Sequence, residues 1–201
     1  MNPKRLTTRF CLARVSRIGL NLLVCVGLIM SAQVALAQAP SSKEYKVKVA
    51  YLYKIALYVN HGSNTGLTEG SELVIGVLGP DPFGSYLDQI AAKRKIHNRN
   101  IVVKRFASWA EYQACDLLFV SNKVDRQSVA SALAASQTKS VLLVGEEEGF
   151  ERQGGIFNMY LDGTGKVGIK LNIDAANRNQ FRVDARLLQV CDVVRDSQPS
   201  E

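Results

Sequence analysis

The chain has 201 residues, 47% of them hydrophobic, enough to close one core and to argue for one domain; its formal charge is +7. That charge is lopsided: Lys4, Arg5, Arg9, Arg14 and Arg17 all precede the first acidic residue, Glu44, and without these five the 25 Lys and Arg fall to 20 against 18 Asp and Glu. A balance this close to neutral excludes nucleic acid as the expected partner.

The basic start leads into an apolar run, Ile18 to Met30, and then into Ala35-Leu36-Ala37, the small-x-small pattern that a signal peptidase accepts. Residues 1–37 are therefore expected to be a signal peptide cut between Ala37 and Gln38, with the protein exported. The run is short for a bilayer and broken by Asn21, which argues against an uncleaved anchor. Val24 before Cys25 argues against a lipidation site. Cys11 and Cys25 leave with the leader, so Cys115 and Cys191 remain. In an oxidising compartment the two either pair, with about 4 kcal/mol of loop-closure stabilisation, or each packs as a small hydrophobe. The sequence leaves both open.

Residues 38–43 read as a polar linker. Residues 44–59 read as a first helix, capped by Ser41 or Ser42, with Val49, Leu52, Tyr53, Ala56 and Val59 on one face. Its tyrosines, Tyr45, Tyr51, Tyr53 and Tyr58, serve packing on a sheet or contact with a partner. After a loop over 60–66 comes Leu73-Val74-Ile75-Gly76-Val77-Leu78-Gly79, an unbroken apolar run closed by Gly and Pro, which reads as a strand buried on both faces. Ser85 to Lys93 has helical spacing and completes a βα unit. Two similar runs, 116–120 and 140–144, are expected to lie beside the first.

Between them, Lys93-Arg94-Lys95-Ile96-His97-Asn98-Arg99-Asn100 reads as a solvated turn, with attraction for an acidic partner or a membrane surface as the alternative. A strand over 101–106, a helical turn over 109–112 and a helix over 124–135, with Val129, Ala132 and Leu133 inward, follow. Glu146-Glu147-Glu148 leaves the carboxyl end of a central strand, where open α/β sheets place ligands, but no further ligand group stands near and a solvated loop is the simpler reading. Residues 155–161 and 166–173 flank Asp162-Gly163-Thr164-Gly165 as an antiparallel hairpin. Asp174 is expected to cap a short helix. A last helix is expected over 184–194, with Leu187, Leu188, Cys191 and Val194 on one side. The sum is a single α/β domain over 44–195, a mixed, mostly parallel sheet of about six strands with a C-terminal β-hairpin and helices packed on it, and a tail over 196–201.

Catalytic signatures are missing. Gly163-Thr164-Gly165-Lys166 lacks the earlier glycine and the following Ser or Thr of a phosphate loop. Gly76 and Gly79 lie in a strand, not in a turn opening a helix, so no dinucleotide fingerprint exists. His61 and His97 are the only histidines, in polar loops, and no cysteine pair has metal spacing. No catalytic residue, metal or cofactor is assigned.

One ordered set of residues runs along the chain: Lys48, Ala50, Tyr51, Leu52 and Tyr53; Ile75-Gly76-Val77-Leu78-Gly79 with Asp81-Pro82-Phe83-Gly84; Cys115 to Ser121; and Gly149-Phe150 with Gly154-Gly155 and Asn158. It continues through Gly165-Lys166-Val167, Asn172 to Ala176 and Arg186-Leu187-Leu188. In these residues the chain resembles the YfiR-like periplasmic proteins. The resemblance implies an exported regulator without catalytic activity. The best-known type binds the periplasmic sensor domain of an inner-membrane diguanylate cyclase and holds it inactive, lowering cyclic di-GMP output and biofilm formation. An OmpA-like outer-membrane lipoprotein can sequester that repressor. That type carries two disulfides, whereas only the cysteine matching Cys115 is present here. Where many relatives have Asn-Phe and then Trp-Pro after the first helix, this chain has Lys54-Ile55 and Asn60-His61. Expected partner contacts are Tyr45, Tyr53 and Tyr58 with Arg182 and Arg186; a homodimer is left open. The rival reading is a small-molecule binding module with its pocket beside Gly79-Pro80-Asp81 and Gly145-Glu146.

Overall fold

The computed structural model describes residues 42–61, 72–139 and 141–196. The leader expected over 1–37 lies outside them, as do all but the last two linker residues and all but the first residue of the expected tail.

The organising unit forms as its sequence dictates. β2 (Leu73–Leu78) is almost wholly buried. It pairs in parallel with β4 (Arg99–Phe106) on one side and β5 (Leu117–Val120) on the other. β6 (Leu142–Gly145) pairs in parallel with β5. β2, β5 and β6 read as continuous apolar runs because helices or loops cover both faces. Beyond β6 the sheet continues through β7 (Phe157–Leu161), β8 (Val167–Asn172) and β10 (Asp192–Val194), and at the opposite edge through β3 (Lys95–Ile96). The order is β10-β8-β7-β6-β5-β2-β4-β3. β7 and β8 form the expected antiparallel hairpin, Asp162 Oδ1 accepting from the turn amides of Thr164 and Lys166 at 2.8 and 2.9 Å.

The mixed, mostly parallel α/β sheet is as expected, but it has eight strands among the described residues where about six were anticipated. Two short edge strands account for the difference. β3 exists because His97 and Asn98 both take positive φ, 48° and 61°, closing a two-residue turn onto β4. β10 replaces the end of the expected last helix: α5 is only Ala185–Leu188, and Val193 and Val194 extend alongside β8. β-branched residues favour extended backbone, and Asn172, Arg178 and Asp174 fasten the next residues, Arg195 and Asp196, to the corner that follows β8.

Two cores result. On one face, α1 (Ser42–Tyr58), α2 (Ser85–Lys93), α4 (Ile173–Arg178) and α5 cover Ile75, Val77, Phe119, Val144 and Phe157. On the other, α3 (Arg126–Lys139), a 3-10 turn at Trp109–Glu111 and Phe150 cover Leu78, Leu118, Val120 and Leu143. The Phe150 ring fits because residues 145 and 155 are glycines; a Cβ at either would stand 2.3 Å from it. α4 is capped by the Asn172 side chain, which accepts from Ala175 N at 2.9 Å, and not by Asp174 as expected. A separate antiparallel pair joins β1 (Val59–His61) at the end of α1 to β9 (Phe181–Val183).

Cys115 packs into the α3-side core and Cys191 against the α1-side core, with the sheet between them, and both are free. Burial pushes each thiol up to about 11.

Candidate functional site

The carboxyl ends of β2 and β5 are the switch point of this sheet, since β2 is followed by β4 on one side and β5 lies on the other. Open α/β sheets place ligands there. In this chain the crevice is filled from within. Gly79, at φ 89°, approaches Val124 so closely that a Cβ would lie 2.7 Å from the valine Cβ. Beside it Phe83 is 1% exposed and meets Phe119 edge-on at 4.6 Å between centroids. Tyr45 covers Phe83 in turn, at 5.8 Å.

Behind those rings lies an ion network that the sequence did not reveal. Glu146, expected to be solvated with Glu147 and Glu148, has a side chain 0% exposed. Its Oε2 accepts from Lys48 Nζ at 2.7 Å and from the Tyr45 hydroxyl at 3.4 Å, and Oε1 accepts from Asn122 N at 3.3 Å. Lys48 also pairs with Glu44 at 2.6 Å, one turn earlier on α1. Burial, then the Glu146 carboxylate, drives the Tyr45 phenol well above its ordinary value. Such a desolvated network holds because each charge is answered, and it sits where the sequence placed the rival pocket, beside Gly79-Pro80-Asp81 and Gly145-Glu146. Among the described residues no group of three or more His, Cys, Asp or Glu could hold a metal ion.

The opposite end of α1 is open. Tyr58, half-buried, lies 4.6 Å beneath the Arg186 guanidinium, which is exposed and bridged to Asp184 at 2.8 Å. That neighbour holds the Asp184 carboxyl down at about 2. Asp184 N donates to Tyr58 O at 2.9 Å, and Asp184 Oδ1 accepts from Arg186 N at 2.9 Å as the cap of α5. Arg182, exposed, pairs across β9 with Asn60 of β1. Of the five residues expected to meet a partner, the fold thus gathers Tyr58, Arg182 and Arg186 at one corner. Tyr53 lies further up α1, half-buried, its hydroxyl donating to Lys95 O at 3.3 Å. Tyr45 is 6% exposed and belongs to the filled crevice. A hint of that burial was present in the sequence, since Tyr45 precedes Val49 and Leu52 at helical spacing.

The chain is similar to a conserved domain protein from Vibrio cholerae O1 biovar El Tor at 15% identity and a TM-score of 0.48, covering 74% of this chain and 59% of that one. It is also similar to the ABC domain crystallised with L-Trp from Streptococcus pneumonia at 11% identity and a TM-score of 0.48, covering 75% and 60%. The chain thus spans about three fifths of the length of each. No curated protein matches. A family model does, from the filled crevice at Tyr45 to the edge strand at Asp192. The match covers residues 45–192, and the chain belongs to the YfiR/HmsC-like family.

Proposed function

We propose that this protein is exported through its leader, cut between Ala37 and Gln38, and docks on the periplasmic sensor domain of an inner-membrane diguanylate cyclase, holding it inactive and lowering cyclic di-GMP and biofilm formation. The family supports a regulatory and not a catalytic protein. Among the described residues no helix is long and apolar enough to cross a membrane. The observation that carries the docking site is the corner of Tyr58, Arg182 and Arg186: an aromatic ring under an exposed guanidinium, on short elements tied to α1 by backbone hydrogen bonds. Tyr and Arg are the residue types that dominate binding energy at interfaces.

Repression needs the repressor to bind the inactive cyclase more tightly than the active one, since a ligand shifts an equilibrium only by its differential affinity. Deleting the gene is expected to raise cellular cyclic di-GMP, and complementation with the Tyr58→Ala/Arg186→Glu form is expected to leave it high although the variant accumulates in the periplasm. Unchanged cyclic di-GMP on deletion refutes the proposal.

A further inference from the structure

The basic run at 93–95 is not used by the docking corner. In the structure it joins a larger face. α1 and α2 lie side by side, with Lys46 Nζ 4.8 Å above the Tyr86 ring, and further along α1 the Tyr53 hydroxyl reaches Lys95 O at 3.3 Å. The outward stripe of α1 and the end of α2 thereby set Lys46, Lys54, Lys93, Arg94 and Lys95 on one surface, all exposed. From Lys46 to Lys54 that surface runs about 12 Å along the helix. The residues between them are small or neutral: Val47, Ala50, Gln89 and Ala92, all exposed.

Its charge is unanswered. α1 and α2 carry one carboxylate each, Glu44 and Asp88. Glu44 is drawn inward to Lys48 at 2.6 Å, and Asp88 is held by Arg105 at 2.8 Å. Among the described residues none of the five bases is in an ion pair. In a chain whose charge is nearly balanced after the leader, five unpaired bases on one face make a strongly one-sided field.

We infer that this face rests on anionic phospholipid headgroups, so that the protein lies against the membrane surface. Four of the five bases are lysines, which protein interfaces avoid, whereas clustered lysines without an apolar anchor suit a diffuse layer of phosphates. The inference goes beyond the docking reading and does not depend on it.

The test is flotation of the protein, recovered from the periplasm of cells expressing the full chain, with vesicles of phosphatidylglycerol in phosphatidylcholine and with pure phosphatidylcholine, no cyclase present. The protein is expected to float only with the anionic vesicles, and less as salt rises. Lys93→Gln/Arg94→Gln/Lys95→Gln should lower partitioning on the order of 100-fold, from about one fivefold step per charge. Lys46→Gln/Lys54→Gln, on the same face but a different element, should lower it on the order of 20-fold. Lys123→Gln/Arg126→Gln/Lys166→Gln removes as much charge elsewhere and should change little. The inference is overturned by equal flotation with both vesicles, or by an equal loss in the last variant. It is also overturned if vesicles never bind while the first variant loses capture by the purified cyclase sensor domain, which would make the face a protein contact.

Discussion

The two ends of α1 carry the same chemistry and put it to different uses. At the start, Tyr45, Lys48 and Glu146 form a ring, a cation and a carboxylate that water does not reach. At the finish, Tyr58, Arg186 and Asp184 form the same three groups in solvent. Burial decides the role. A desolvated pair is costly to leave half-made and so fixes structure, while an exposed pair contributes little to folding and remains available to a partner.

The largest effect is expected at the sealed end. Lys48→Met should destabilise the fold by about 3–5 kcal/mol in urea unfolding, because Glu146 is left charged and unanswered. Adding Glu146→Leu should recover most of that loss. A Lys48→Met cost under about 1 kcal/mol would mean that water reaches the network, contrary to its burial.

At the open end the effect is expected in binding. Tyr58→Ala/Arg186→Ala should weaken capture of a cyclase sensor domain by about 2 kcal/mol or more, measured by titration calorimetry. Equal affinity in wild type and variant would remove the corner from the interface.

Alkaline titration sharpens the contrast further. Tyr45 is raised by burial and by Glu146, and both cysteines are raised by burial to about 11. For each group the unfolded chain ionises first, from about pH 9 for thiols and about pH 10 for the phenol. Their contribution is whole below those values and is lost as pH rises through the folded ones. The urea midpoint should therefore fall from about pH 9 upward, and less steeply in Tyr45→Phe. An identical slope in that variant would show that Tyr45 ionises as freely folded as unfolded.

The smallest effect is the stability of Arg186→Gln. Its ion pair and ring contact are exposed, so the thermal unfolding midpoint should stay at the wild-type value. A lower midpoint would make the open end structural too.

What the sequence made legible follows its strongest periodicities. The buried runs around Ile75, Leu118 and Leu143, the helix from Ser85 and the Gly163-Thr164 hairpin stand as read, and the first helix, read over 44–59, forms over Ser42–Tyr58, since each depends on neighbours in the chain. The misreadings are long-range. Val193 and Val194 fit a helical face until β8 offers them a ladder. Asp174 looks like a cap until Asn172, turned inward at the end of β8, takes that place.

By itself the sequence determined an α/β sheet, a family and the absence of a recognisable reacting motif, because hydrophobic spacing, turn residues and motifs are written locally. Only the tertiary structure decided which charges meet. Glu146 lies 98 residues from Lys48, and whether that carboxylate is solvated or sealed depends on α1 folding back across the sheet. The energy of a charge is set by the water around it, and that is a property of packing.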